Sequence, residues 1–143
     1  MPFQEGRFGD GTIGIFYSAI EEDNCKKEVA FHLNEQIKDL NRDKYPRTYH
    51  SIECHYEGAT VDLRGKEEKH PNLVSNTKTG YPFCQDLARR AVERGIVGFL
   101  APSARNPGGT CVPVFRRTAL SDPRSKRRYS ATVRFGRVQF QKS

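Results

Sequence analysis

The chain contains no apolar run long enough for a transmembrane helix, no C-x-x-C pair, no internal repeat and no low-complexity stretch. The first absence argues against membrane spanning. The opening MPFQEGRFGDG has neither the charged nor the apolar region of a signal peptide, so Sec-type export is not expected. The second absence removes the usual start of a zinc site. Cys25, Cys54, Cys84 and Cys111 lie 29, 30 and 27 residues apart. His32, His50, His55 and His70 do not complete a ligand set, because Cys54 and His55 are adjacent and neighbours seldom converge on one metal. We expect reduced, largely packing cysteines in a cytoplasmic protein, and no metal.

Acid is nearly missing from the C-terminal end. Residues 116–143 hold nine Lys or Arg against one acid, Asp122, whereas residues 1–115 hold 15 basic and 16 acidic residues. The net charge of +7 therefore comes entirely from the last 28 residues, which include RSKRR at 124–128. A basic segment of this kind suits nucleic acid, an anionic ligand or an acidic partner, or is simply a solvated hairpin.

What is present fits one domain over residues 1–143. A chain this long buries roughly 70% of the surface its unfolded form exposes, and nine Phe and six Tyr supply bulky apolar groups. Ile13–Ile20 reads as a strand after a glycine-dense turn. Asp23 or Asn24 can cap a helix to about Leu40, with Val29, Leu33, Ile37 and Leu40 as its stripe. Ser51–Tyr56 and Ala59–Leu63 are strand candidates. A second helix starts at Pro82 or Phe83, buries Leu87, Ala88, Ala91 and Val92, and stops at Gly95. Ile96–Leu100 and Thr110–Phe115 follow as strands, with Pro113 favouring an edge or bulge, and Val133–Phe140 should close the sheet. Strands and helices mix without regular βαβ units, so the class is α+β.

Gly9, Gly11 and Gly14 form a nominal G-x-G-x-x-G. A dinucleotide-binding turn needs a strand before it and a helix after it, and here a strand follows. A tight turn using glycine's positive φ is the better reading. Arg7, Tyr17, Glu28, Ser103 and Arg105 remain as polar candidates on separate segments. Singly, each reads more simply as a surface cation, a core aromatic, a solvated helix face or a turn residue.

Together they match a known pattern. GRFGDGTIGIFYSAIEEDNCKKEVAFHL and QDLARRAVERGIVGFLAPSARNPGGTCVPVFRRTAL resemble the two halves of the RES domain. That family is named for an arginine, a glutamate and a serine, which fall here at Arg7, Glu28 and Ser103. The resemblance covers roughly residues 6–120 and departs at Gly9, where the family often has Asn. The six residues before Arg7 suggest a short variant, or a domain cut from a longer polypeptide such as a delivered toxin.

The resemblance implies an ADP-ribosyltransferase-like mixed sheet with flanking helices, and a toxin that consumes NAD. It implies catalytic roles for Glu28, Arg7 and Tyr17, and NAD binding by Arg7, Tyr17, Ser103 and Arg105. A guanidinium can fork onto a pyrophosphate, a tyrosine ring can stack on nicotinamide, and a carboxylate can stabilise an oxocarbenium-like ribose. The acceptor stays open between water or phosphate and a protein side chain, the last making a protein ADP-ribosyltransferase. A toxin further implies an antitoxin or immunity protein. A nucleic-acid module built on the basic segment, with Tyr129, Phe135 and Phe140 interleaved, ranks below these readings. The site is expected as one cleft, with Glu28 and the Ser103 loop on opposite walls.

Overall fold

The computed structural model of the chain describes residues 5–38, 47–134 and 137–142; at 36–38 and 132–134 it describes backbone only. Two sheets and two helices make up the α+β fold. The first sheet contains β1 (Phe16–Ala19), β3 (Thr60–Asp62), β4 (Gly98–Pro102) and β5 (Thr110–Val114), in the order β1-β5-β4-β3. Its β3–β4 pair is parallel and the other pairs are antiparallel. Parallel neighbours require a crossover, which α2 (Tyr81–Glu93) provides. The second sheet is antiparallel: β2 (Arg47–Tyr56), β6 (Leu120–Arg134) and β7 (Arg137–Lys142).

The principal core lies between α2 and the first sheet. Cys84, Ala88 and Ala91 follow one another at four and three residues, forming a buried stripe of small side chains on α2. Small residues here leave room for Phe99 of β4, which is fully buried and meets Phe8 and Phe115 edge-on at 5.6 and 4.9 Å. Ala88 and Ala91 are core residues as the spacing suggests, but Leu87 and Val92 are only half-buried, and Cys84 takes the central place. The helix stops as expected at Gly95, whose φ of 81° lies in the left-handed region. Its N–H reaches the Val92 carbonyl and that of Ile96 reaches Ala91, both at 3.0 Å, which satisfies the last turn.

The first helix, α1 (Glu22–Lys38), starts one residue before Asp23 and two before Asn24, the two expected caps. The Glu21 carbonyl accepts from the N–H groups of Asn24 and Cys25 at 3.1 and 3.3 Å, so Asn24 lies inside the first turn, fully buried. The Glu21 carboxylate is engaged elsewhere: both its oxygens accept from the Thr110 N–H, at 2.9 and 3.2 Å. Further along, Leu33 packs with Ala131, Tyr49, Val138 and Phe140 of the second sheet. Leu40 lies outside the described residues, and for Ile37 only the backbone is described.

Two strand expectations are corrected. The 133–140 alternation does not mark one strand closing a single sheet. It spans the junction of β6 and β7, where Val133 pairs directly with Val138, so the alternation survives the reversal. Both strands belong to a second sheet. Pro113 sits at neither an edge nor a bulge but within β5, the neighbour of both β1 and β4. The β4–β5 ladder registers Val114 and Cys111 but neither Pro113 nor Val112, a gap in the pairing where the proline has no N–H to give. The glycine turn runs into a strand, β1, as expected, and Gly11 has φ 97°.

The basic segment is partly fastened to the fold. Tyr129 of β6 donates its hydroxyl to Glu22 Oε1, Arg127 Nη1 lies 3.2 Å from Glu22 Oε2, and Lys26 sits 4.2 Å over the Tyr129 ring. Among the described residues, no helix is long and apolar enough to cross a membrane.

Two measurements check this packing. Phe99→Ala should lower the unfolding free energy by about 3–5 kcal/mol, because it empties a closed aromatic cluster; a loss under about 1 kcal/mol in urea titration would show that the cluster is not the core. The Tyr129 hydrogen bond, aided by Arg127 and Lys26 against a lesser effect of burial, holds the Glu22 carboxyl below its ordinary range. A carboxyl depressed in the folded state stabilises the fold above its unfolded value, and that contribution disappears as pH falls through the folded value. Between pH 6 and pH 3, wild-type Tm should therefore drop more than that of Glu22→Gln. Parallel curves would remove this role.

Candidate active site

Glu28 projects from the second turn of α1 with a third of its side chain exposed. Two donors from the first sheet and its loop converge on one of its oxygens. Ser103 Oγ lies 3.5 Å from Oε1, a long hydrogen bond, and Cys111 Sγ lies 3.6 Å from the same atom, within reach for sulfur. On the other side, His32 Nε2, one turn along α1, is 3.9 Å from Oε2.

Ser103 is buried, and its hydroxyl is fully used. Its oxygen accepts from the N–H groups of Arg105 and Asn106 at 3.2 and 3.0 Å, which leaves its single proton for Glu28. Its own N–H meets the Gly109 carbonyl at 3.0 Å, closing the 103–109 loop. That loop is bound to α1 at two further points: Lys27 donates to Asn106 Oδ1 at 2.9 Å, and the Arg105 guanidinium stacks 3.4 Å above the Phe31 ring. The expected opposite walls are therefore one wall. Glu28 and the Ser103 loop touch directly.

Arg7 and Tyr17 form a second group. The Tyr17 hydroxyl accepts from the Phe8 N–H at 3.2 Å, and a Cβ on Gly6 would stand only 2.7 Å from it. Enclosure of that end pushes the phenol's pKa up, while the residue as a whole stays half exposed. The accessible part is thus the ring. Arg7 donates from Nη1 to the Asn72 carbonyl (3.1 Å) and Ser75 Oγ (3.2 Å), and from Nη2 to the Ser75 carbonyl (2.7 Å), and lies 5.1 Å over the Tyr81 ring. Three of its five N–H donors are spent on the 72–75 turn.

No bond connects the two groups among the described residues, but the sheet aligns them. Tyr17 and Ala19 of β1 stand opposite Pro113 and Cys111 of β5, so all four occupy one face. The Tyr17 ring and the thiol that meets Glu28 are two residues apart in register, about 7 Å along the strand. A hollow of about 90 Å³ near the glycine turn, lined by Phe8, Ile13, Gln85 and Arg89 among others, contains none of the candidate residues.

Sequence reasoning missed Cys111, Asn24, Glu21 and Tyr81. Burial, followed by the charge of Glu28, pushes the Cys111 thiol up to about 11. Its position in β5 opposite Ala19 is a matter of register, and no local motif announces it. Arg7→Ala should lower the unfolding free energy by about 1–3 kcal/mol in urea titration, since it removes three hydrogen bonds that hold the 72–75 turn. A purely ligand-binding arginine would leave stability unchanged.

Comparison with known proteins supplies the remaining finding. No curated protein matches the chain. The family model described as RES domain matches residues 2–136, nearly its full length and further in both directions than the two quoted segments. With Arg7, Glu28 and Ser103 all inside that span, the chain belongs to the RES domain family.

Proposed function

We propose that this protein is an NAD-consuming toxin that cleaves the nicotinamide–ribose bond and transfers ADP-ribose to water or phosphate. The observation that carries this reading is the Glu28 carboxylate, anchored through one oxygen at the end of a sheet face that also carries the half-exposed Tyr17 ring. The family membership supports it.

In this reading the C1′–N bond breaks with its electron pair leaving on nicotinamide, whose ring nitrogen begins cationic and becomes neutral. No acid is needed for departure. Positive charge develops on the ribose, and a fixed carboxylate nearby stabilises it without reorganising. The acceptor oxygen then bonds to C1′ and releases its proton. Tyr17 offers its ring for stacking, because its hydroxyl is already occupied. Arg7, with two N–H groups not engaged in the 72–75 turn, and Arg105, presented on Phe31, are the cations for the pyrophosphate. Ser103 holds Glu28 and the loop together, since its hydroxyl has no further proton to give a ligand. An enzyme of this kind acts where NAD is abundant, in the cytoplasm, and requires a neutralising antitoxin or immunity protein in the cell that makes it.

Purified protein incubated with NAD should release nicotinamide, and Glu28→Gln should slow release by about a hundredfold or more while circular dichroism stays unchanged. Resolving the products into ADP-ribose, ADP-ribose phosphate and protein-bound ADP-ribose identifies the acceptor. Retention of label on protein would replace hydrolysis or phosphorolysis with protein ADP-ribosylation. Absence of nicotinamide release with all three acceptors would overturn the proposal.

A further inference from the structure

Behind Glu28 lies a buried polar side chain that the chemistry above does not use. Asn24, in the first turn of α1, is fully buried, and its Oδ1 has no hydrogen-bond partner among the described residues. Leaving a buried carbonyl unpaired is unfavourable, and an apolar side chain of similar size would avoid it. The other end of the amide has a partner: Nδ2 donates to Cys111 Sγ at 3.4 Å, and that thiol in turn meets Glu28 Oε1 at 3.6 Å. Gly109 makes room for the amide, because a Cβ there would stand 2.7 Å from Asn24 Oδ1.

We infer that Asn24 and Cys111 are positioning residues for Glu28, forming a relay that anchors Oε1 beside the sheet and leaves Oε2 for the ribose. The inference rests on the NAD-cleavage reading of the site. An amide donating to sulfur orients the thiol so that its lone pair faces Asn24 and its hydrogen faces the carboxylate. Burial pushes the thiol far above neutral pH, so it remains a donor under working conditions. With the Ser103 hydroxyl on the same oxygen, Oε1 has two donors from separate elements, one from β5 and one from the 103–109 loop. Among the described residues, Oε2 has only the exposed His32 at 3.9 Å. A carboxylate gripped at one oxygen can rotate little, so its second oxygen stays aimed as charge develops on the sugar. The alternative is that Cys111 merely fills space on the sheet.

Steady-state kinetics on NAD separates the two. Cys111→Ala should lower kcat by about tenfold and leave KM within about twofold, since ground-state binding does not use the relay. Cys111→Ser, which restores an X–H donor, should recover most of that loss. Asn24→Leu, which removes the amide and keeps its volume, should resemble Cys111→Ala. Wild-type kcat in Cys111→Ala, or no recovery in Cys111→Ser, would overturn the relay. If the wild-type protein itself releases no nicotinamide, the NAD reading fails, and the relay is then judged by urea unfolding of Cys111→Ala, Glu28→Gln and the double variant. Non-additive shifts keep the contact. Additive shifts overturn it.

Discussion

The first turn of α1 is the joint on which the rest of this molecule hangs. Both oxygens of the Glu21 carboxylate take the Thr110 N–H, and the Thr110 carbonyl takes the Ile20 N–H at 3.1 Å. The start of the helix is thereby tied to the start of β5 at a buried position. The next residue, Glu22, reaches Tyr129 and Arg127 of β6. A single turn of helix thus grips both sheets, and every later residue of α1 inherits its direction. Leu33 then settles on the second sheet, and Glu28, five residues earlier, is delivered to Ser103 and Cys111. Were the turn to slip by one residue, Glu28 would rotate by about 100° and miss both donors.

The two groups of site residues are held by different means. Glu28, Ser103 and Arg105 are cross-braced through side chains, with loop 103–109 tied to α1 at Lys27, Glu28 and Phe31. Arg7 and Tyr17 depend on the peptide segment 6–8 and on the 72–75 turn, which Arg7 itself holds together. Arg7 is therefore as much a structural tie as a candidate ligand for an anion. Its charge also lies beside Cys84, where it opposes the burial that raises that thiol. What unites the groups is the register of β1 with β5, which is backbone hydrogen bonding and so largely indifferent to the site's own side chains.

Some of this was legible in the sequence. Local rules found the stop of α2, because a left-handed glycine followed by an apolar residue is a self-contained signal. They found both helices and the strands of the first sheet in order, and the turn before β1, but not β6 (Leu120–Arg134), whose charge reads as a tail. They failed where tertiary contacts decide. The cap of α1 looked like Asp23 or Asn24 by residue type, yet Asn24 is drawn inside by Cys111, and the true start is fixed by the bond from Glu21 to Thr110 of β5, 89 residues away. Pro113 looked misplaced for an inner strand, and the sheet takes it with a gap in the β4–β5 ladder while the register with β1 runs through it. The division into two sheets is equally invisible from alternation, which reads the same whichever sheet a strand joins. For the site, the resemblance placed Glu28 and Ser103 in one constellation, and their contact at 3.5 Å is closer than the facing walls that the reasoning pictured.

The basic segment takes on a different meaning once it is placed. As composition it is a tail, and a tail of charge has no necessary relation to a site elsewhere. In the fold it is β6 and its hairpin partner. Part of its charge is spent internally: Arg127 on Glu22, and Lys126 on Glu53 of β2 at 3.3 Å. The Glu22 contact attaches the basic strand to the helix that carries Glu28, less than two turns upstream of it. The strand's exposed stretch, residues 121–128, registers with β2 but, among the described residues, not with β7, whose register begins at Tyr129. The cations thus belong to the same framework that aims the carboxylate, and a substitution that loosened β6 would act on the site through Glu22 and not only through surface charge.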